Sequence, residues 1–464
     1  MKNQKRVLLS TFFLVVIAPF HLGLPAAAQD AAEGGRATQT ATVPALRLED
    51  LEQMALAANP TLKQAEAEVR VAAGRRRQAG LYPNPTVGYT GEEIRGGFAR
   101  GGQQGFFVEQ TLVLGGKLRK SQQVFALEQV QAEAEAEEQR FRVLNAVRLL
   151  YYQALGAQEM LALDEQLARL AAEAAATTRQ LYNVGQADLP DVLQAEIEQQ
   201  QAELAVIVEE NTRERIWRAL AAVVGNPGLK PLPLAGSLEA DLPVLDSDVW
   251  LTALIQESPA VKIARAGVAR AEAMTSRASA QPIPDLKVRA GLQQNRELME
   301  TTGHAVGLQW FAEVGVEIPL FNRNQGEVEA ARAERERALQ EVRRVELVLR
   351  ERSASLWSNY QSARALADRY RTQMLPRAQK AHELYLAKYQ IVAASYPQVL
   401  IAQRTRFQLQ REYIDALTGV WTNAIALRGF LLTDGLEAPA KSGEMDLPVR
   451  EINVPRGRMM MDER

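Results

Sequence analysis

The chain has 464 residues, no cysteine, three histidines, and 54 basic against 56 acidic side chains. Without cysteine there is no disulfide framework, thiolate metal site, cysteine nucleophile or lipid on an N-terminal cysteine. The near-neutral charge gives no electrostatic case for nucleic-acid binding, and the Ala, Leu, Glu, Gln and Arg content is that of long helices and coiled coils.

Lys2, Lys5 and Arg6 precede an apolar run, Val7 to Phe20, and the small residues Pro25-Ala26-Ala27-Ala28. This order predicts an export signal over residues 1–28, followed by a linker over 29–46. No later segment approaches the ~18 consecutive apolar residues of a membrane-spanning helix. A helix is expected from Leu48 to Gly80, stopped by Pro83 and Pro85. Two weakly alternating strands follow, 85–91 and 105–112, around a glycine-rich loop. From Lys117 to Asn183 there is no proline, and one helix of that extent spans on the order of 100 Å. Its second part carries a heptad seam: Met160, Leu163, Leu167, Leu170, Ala174, Thr177 and Leu181. Val184-Gly185-Gln186-Ala187 breaks it. Asp188 is placed to cap a return helix that holds Pro190 in its first turn and runs to Val224.

After a linker at 231–246 the same order recurs. Asn59-Pro60-Thr61-Leu62-Lys63 parallels Ser258-Pro259-Ala260-Val261-Lys262, and Pro83-Asn84-Pro85 parallels Pro282-Ile283-Pro284. Leu189-Pro190-Asp191-Val192-Leu193 parallels Tyr396-Pro397-Gln398-Val399-Leu400. The spacing of roughly 200 residues is too long for a solenoid unit and reads as an internal two-fold repeat, 47–230 and 247–434. The second repeat is expected to hold strands at 285–293 and 309–319 and helices from Gln325 to Ile391 and Ser395 to Leu432. A tail at 435–464, with Met459-Met460-Met461, is expected to be disordered.

In the second pair of strands Leu286, Val288, Ala290 and Leu292 alternate with Lys287, Arg289, Gly291 and Gln293. Ala312, Val314, Val316 and Ile318 alternate with Phe311, Glu313, Gly315 and Glu317. Such strands suit a half-buried sheet in a soluble domain. They equally suit a transmembrane β-barrel with apolar side chains toward lipid and charges toward the lumen. In the barrel reading Lys287, Arg289, Glu313 and Glu317 line the lumen, Val288, Val314 and Val316 face lipid, and Trp310 and Phe311 sit near the membrane interface. Four strands cannot close alone, so a homotrimer with a twelve-stranded barrel is expected. No catalytic or cofactor motif is present. His382-Glu383-Leu384-Tyr385-Leu386 lacks the second histidine of a zinc-protease helix, Gly96 to Gly102 opens no helix, and His304 has no ligand partner at useful spacing.

In this order of elements, the chain resembles the TolC-type outer-membrane efflux family, over about Leu46 to Gly435. The resemblance is carried by the doubled Asn/Ser-Pro start and Tyr82-Pro83-Asn84-Pro85. It extends to Glu109-Gln110-Thr111-Leu112, Leu114-Gly115-Gly116-Lys117, Glu317-Ile318-Pro319-Leu320-Phe321-Asn322-Arg323-Asn324 and the turn Tyr182 to Asp188. The Leu114 and Pro319 runs look most like the CzcC-like heavy-metal efflux branch. The resemblance implies a mixed α+β fold, with long antiparallel helical hairpins forming an α-barrel above four membrane strands per chain. It implies an outer-membrane location with a large periplasmic part, and a passive exit duct, not an enzyme, for heavy-metal cations. Its expected partners are a periplasmic adaptor and an inner-membrane pump of the resistance-nodulation-division type. The same duct serving drugs, small molecules or type I protein secretion is an alternative; a periplasmic coiled-coil adaptor or structural protein is one of a different class. Adaptor docking and the gate are expected at the two hairpin turns. These are Tyr182, Val184, Gly185, Gln186, Ala187, Asp188 and Asp191 in the first, and Tyr389, Val392, Ala393, Ser395 and Gln398 in the second. Two departures stand out. Val392 replaces the first turn's Gly185, and Gln398 and Ile401 occupy the positions where a drug-exporting member carries gate carboxylates.

Overall fold

Asn59-Pro60 and Ser258-Pro259 each divide a helix that the sequence reading takes as one. In the computed structural model α1 (Leu48–Ala58) gives way to α2 (Pro60–Ala79) at Asn59, and α5 (Ser247–Glu257) to α6 (Pro259–Ala280) at Ser258. Proline imposes extended backbone on the residue before it and lacks an N–H, so it starts a helix but cannot continue one. Asn59 and Ser258 have ψ of 124° and 130° and are fully buried. Asn59 holds the kink through Oδ1, which accepts from the Thr61 N–H at 2.9 Å, and through Nδ2, which donates to the Val223 carbonyl at 2.7 Å.

The structure describes residues 45–94, 102–298, 304–391 and 396–439. The chain divides into two units, Met1–Val43 and Pro44–Arg464; the first, with the expected export signal and most of the 29–46 linker, lies outside the described residues. So do parts of both strand loops, Val392 to Ser395, and the tail from residue 440.

Four strands, β1 (Thr86–Glu92), β2 (Gln103–Leu112), β3 (Leu286–Leu298) and β4 (Ala305–Val316), form one antiparallel sheet in chain order. β3 runs past the expected end at 293 through an irregularity between Asn295 and Leu298. β4 stops at Val316, three residues short of the expected 319, before the Pro319 segment. β2 leads into α3 (Lys117–Asn183), β4 into α7 (Gln325–Arg369), α2 into β1 and α6 into β3. α2 packs on α3, α3 on α6 and α6 on α7. The helices therefore repeat the order of the strands they continue.

The glycine and asparagine motifs at the strand–helix joints now have a backbone reason. Gly115 (φ 69°), Gly116 (φ 65°) and Asn324 (φ 58°) take the left-handed conformation, which turns the chain from strand into helix and which glycine and asparagine tolerate best. Asn324 Nδ2 donates to the Ala278 carbonyl at the end of α6. Lys117 pairs with Asp285 at 2.9 Å and fixes the first joint to the third strand.

α3 is one helix of 67 residues, as the sequence requires, and returns through α4 (Leu189–Val224). Met160, Leu163, Leu167 and Leu170 of its seam pack with Phe407 of α9 (Tyr396–Arg428). Toward the tip the buried positions become Ala175 and Thr178 while Thr177 is exposed, the drift expected when a 3.6-residue helix carries a 3.5-residue pattern. The second long helix is not continuous. Pro376 removes one ladder hydrogen bond and clashes with the preceding turn, and the backbone widens to a π turn at Tyr370–Met374 between α7 and α8 (Leu375–Gln390). The main core lies where α3, α4, α7 and α9 meet the segment 229–245. Aromatic side chains strap that segment down. Trp217 Nε1 donates to the Leu229 carbonyl, Trp421 Nε1 to Leu238 and the Tyr360 hydroxyl to Pro243, each at 2.8 Å.

Candidate functional site

The pairing registers sort the sheet into two faces. On one, Val87, Val108, Ala290 and Ala312 form a row across all four strands, and Tyr89, Phe106, Leu292 and Trp310 form the next. Val288 and Val314 with Gln110, then Leu112, Leu286 and Val316, complete an apolar band. Tyr89 and Phe106 meet edge to face at 5.4 Å. Most of these side chains are exposed, Trp310 to 78% and Val314 to 65%, a contiguous apolar surface of the kind that meets lipid or another protein. Ten residues of β2 at ~3.4 Å each span ~34 Å, which at a tilt near 45° rises ~24 Å, close to the ~25 Å apolar band of outer-membrane barrels.

The opposite face carries Glu109, Lys287, Arg289 and Glu313 with Thr86, Thr90 and Thr111. Lys287, Arg289 and Glu313 thus share one face, and Arg289 Nη1 lies 3.7 Å from Glu313 Oε2. Glu317 lies one residue beyond the end of β4, which stops at Val316. Neighbouring residues of a strand point to opposite faces: Trp310 lies in the apolar rows, and the Phe311 ring lies on the polar face near Arg289, 5.7 Å from the guanidinium carbon.

Below the sheet, ionic contacts join the helices. Glu128 of α3, 2% exposed, accepts from Arg75 of α2 at 2.8 Å and lies 3.3 Å from Arg270 of α6. Two turns further along α3, Glu135 lines a cavity of about 440 Å³ with Gln131, Arg270, Gly267 and Glu341. Burial, reinforced by Glu138, pushes its carboxyl up to about 7 against the hydrogen bond from Gln131. A carboxyl raised in the fold holds its proton where the unfolded chain has lost it, so stability falls as pH rises from about 4.5 to about 7. Glu135→Gln is expected to raise stability at pH 8 by about 2 kcal/mol and to leave it unchanged at pH 4, read from melting temperatures at the two pH values.

The first hairpin turn follows from Gly185. Its φ of 75° lets the Gly185 N–H reach the Tyr182 carbonyl at 3.0 Å and the Gln186 N–H reach Leu181 at 2.8 Å. The pair is a Schellman ending that satisfies the last carbonyls of α3. Asp191 reaches back to the Asp188 N–H at 3.4 Å and closes the start of α4. Tyr182, Val184, Gly185, Gln186 and Asp188 are exposed at this turn, with Ala187 half-buried. On the other hairpin Tyr389 lies in the last turn of α8, and Gln398 and Ile401 lie exposed in the first turns of α9, while Val392, Ala393 and Ser395 lie outside the described residues. The hairpins are tied together by Arg404–Glu198 and Arg411–Asp164. Near the second pair burial raises the Glu209 and Asp415 carboxyls. The sequence reading missed an exposed apolar stripe on α4, Leu189, Leu193, Ile197, Leu204 and Val208. Its near-helical spacing is the signal that was available.

Among the described residues no helix is long and apolar enough to cross a membrane, and no three His, Asp or Glu side chains converge as a metal site requires.

The outer membrane efflux protein family matches residues 51–226 and 250–431. The cobalt-zinc-cadmium resistance protein CzcC of Cupriavidus metallidurans is 29% identical over 272 residues, 58% of this chain and 62% of that protein; the aligned part thus spans less than two thirds of the relative's length. The solved structure of CusC superposes with a TM-score of 0.69 at 19% identity, covering 83% of this chain and 92% of that one. VceC, an outer membrane protein from Vibrio cholerae, gives 0.67 at 19% identity, covering 84% and 97%. At these identities the structural likeness is one of fold.

Proposed function

Because the chain belongs to the outer membrane efflux protein family, we propose that it is the exit duct of a tripartite export system, a passive conduit through the outer membrane and periplasm. The observation that carries this is the two-faced sheet, exposed and apolar on one side and charged on the other, whose strands continue directly into helices in the same order. The family is one of channels, and an enzyme reading has no support in it.

β1 and β4 are the edges of the sheet, and an unpaired edge in hydrocarbon leaves backbone groups without partners at several kcal/mol each. Pairing β4 of one protomer with β1 of the next removes both edges, and three protomers give twelve strands around an open lumen. The recurrence of helix, helix, strand pair and helical hairpin in the element order supports the reading of two repeats, 47–230 and 247–434. The α4 stripe is covered by a neighbouring protomer in such a trimer. The cargo is heavy-metal cations, a reading supported by the similarity to CzcC; the same duct for drugs, small molecules or secreted proteins is the alternative. The pump, of the resistance-nodulation-division type, supplies the energy, and a periplasmic adaptor docks at the hairpin turns.

Single cysteines test the barrel, since the chain has none of its own. Lys287→Cys is expected to react with water-soluble thiol reagents in intact outer membranes, whereas Val288→Cys reacts only after detergent extraction. Equal labelling would refute the barrel. At the turn, Ala187→Trp is expected to reduce export to the level of a strain without the duct, while the trimer still assembles by mass in detergent. Ala187 is the site to change, because any side chain at Gly185 adds backbone strain of about 1–2 kcal/mol.

A further inference from the structure

On the charged face of the sheet, one row runs Thr86, Glu109, Arg289, Glu313, and the next runs Gly88, Phe107, Gly291, Phe311. The alternation of glycine and phenylalanine is steric. A methyl group at Gly88 would overlap the Phe107 ring, and one at Gly291 would overlap Phe311. Each ring therefore lies over the glycine of the adjacent strand. Arg289 reaches from its own row onto these rings, its guanidinium carbon 3.9 Å from the Phe107 centroid and 5.7 Å from that of Phe311. Its Nε makes no hydrogen bond, and its contact with Glu313 is 3.7 Å. The aromatic faces, more than the carboxylate, hold this cation in place.

From this arrangement, and resting on the duct reading, we infer that the Phe107–Arg289–Phe311 stack determines which ions the barrel passes and keeps divalent cations from being retained. The row holds two carboxylates for one guanidinium, and with Glu92 and Lys287 on the same face the paired strands keep an excess of carboxylates, so the lumen favours cations over anions. Glu109 and Glu313 stand on strands to either side of β3, about 10 Å apart by strand spacing. The guanidinium between them is rigid, planar and always charged. It divides the two carboxylates into separate weak sites, where an uninterrupted pair would detain a divalent ion. A lysine in its place keeps the charge but cannot stack in the same way. A conduit for divalent metal cations needs this combination of attraction and quick release.

The test is single-channel recording of the full-length protein in planar bilayers, in a potassium chloride gradient with and without millimolar magnesium or zinc. The wild type is expected to prefer potassium over chloride and to conduct without block. Arg289→Gln is expected to raise the potassium-to-chloride permeability ratio about four- to sixteenfold, since one charge ~5–10 Å away in water shifts each ion about two- to fourfold in opposite directions, and to introduce divalent block. A permeability ratio and divalent sensitivity identical to wild type would overturn the inference. Where Arg289→Gln does not insert, Glu109→Gln with Glu313→Gln reads the same row from the other side. Loss of the potassium preference supports the inference and an unchanged ratio overturns it. Wild-type protein that inserts as a trimer but never conducts would overturn the duct reading, and this inference with it.

Discussion

Val108→Arg is expected to abolish assembly in the outer membrane. Val108 is in the centre of the apolar band, between Val87 and Ala290, with the Tyr89–Phe106–Leu292–Trp310 row on one side and the Val288–Val314 row on the other. An arginine at that depth on the lipid side costs roughly 2–4 kcal/mol, and in the proposed trimer the cost is carried three times. Its side chain cannot turn inward, because the strand's alternation fixes its direction and Glu109 and Phe107 already point the other way. Thr111→Arg is the matched control. It puts the same charge on the polar face, beside Lys287, and is expected to insert. Heat-modifiable migration of outer-membrane fractions separates the two variants. Val108→Arg inserted at wild-type abundance would mean that this face does not meet lipid.

Glu128→Leu is expected to be the most damaging change in the helical region, lowering stability by about 3–5 kcal/mol. Glu128 is the acidic member of an Arg–Glu–Arg set across α2, α3 and α6, and it and Arg270 are almost entirely withdrawn from solvent. Removing it leaves the Arg270 guanidinium buried without its counter-charge; Nε already lacks a partner. Arg75, half-exposed, loses less because water remains available to it. The expected signature is recovery in the double variant Glu128→Leu, Arg270→Met. Replacing a buried pair by apolar groups of similar volume is often neutral or better. Thermal melts of the two variants and the wild type measure this directly. A double variant no more stable than the single one would show that packing, not charge, holds these helices.

The long helices were legible because their signals are local. No proline interrupts Lys117–Asn183, and Gly185 with Asp188 and Pro190 marks the reversal. The second pair of strands was legible from its alternation. The first pair was weaker in sequence because Gly88, Gly91 and Gly105 stand where alternation calls for side chains, and at Gly88 the space belongs to a ring from the next strand. That dependence on a neighbour is invisible to a one-dimensional pattern. So is the burial of Glu128, an ordinary helical glutamate until α2 and α6 bring arginines to it. The kinks at Asn59 and Ser258 and the π turn before Pro376 were readable from proline alone, and the periodic pattern on either side masked them. The charged face was readable residue by residue, but its end was not. Glu317 keeps the alternation in sequence after the sheet itself has stopped.

The π turn at Tyr370–Met374 makes the two legs of the chain mechanically unequal. α3 is an unbroken column, and a sideways load at its tip is spread as gentle curvature over many hydrogen bonds, none of which yields first. The other leg has a joint. Its ladder is already out of step over five residues, and the ring of Pro376 prevents the lost bond from re-forming. The same load there becomes rotation about one short segment, with the hydrogen bond from the Tyr370 hydroxyl to Glu412 of α9, 2.9 Å long, as the latch across it. One leg is thus built as a strut and the other as a hinged arm.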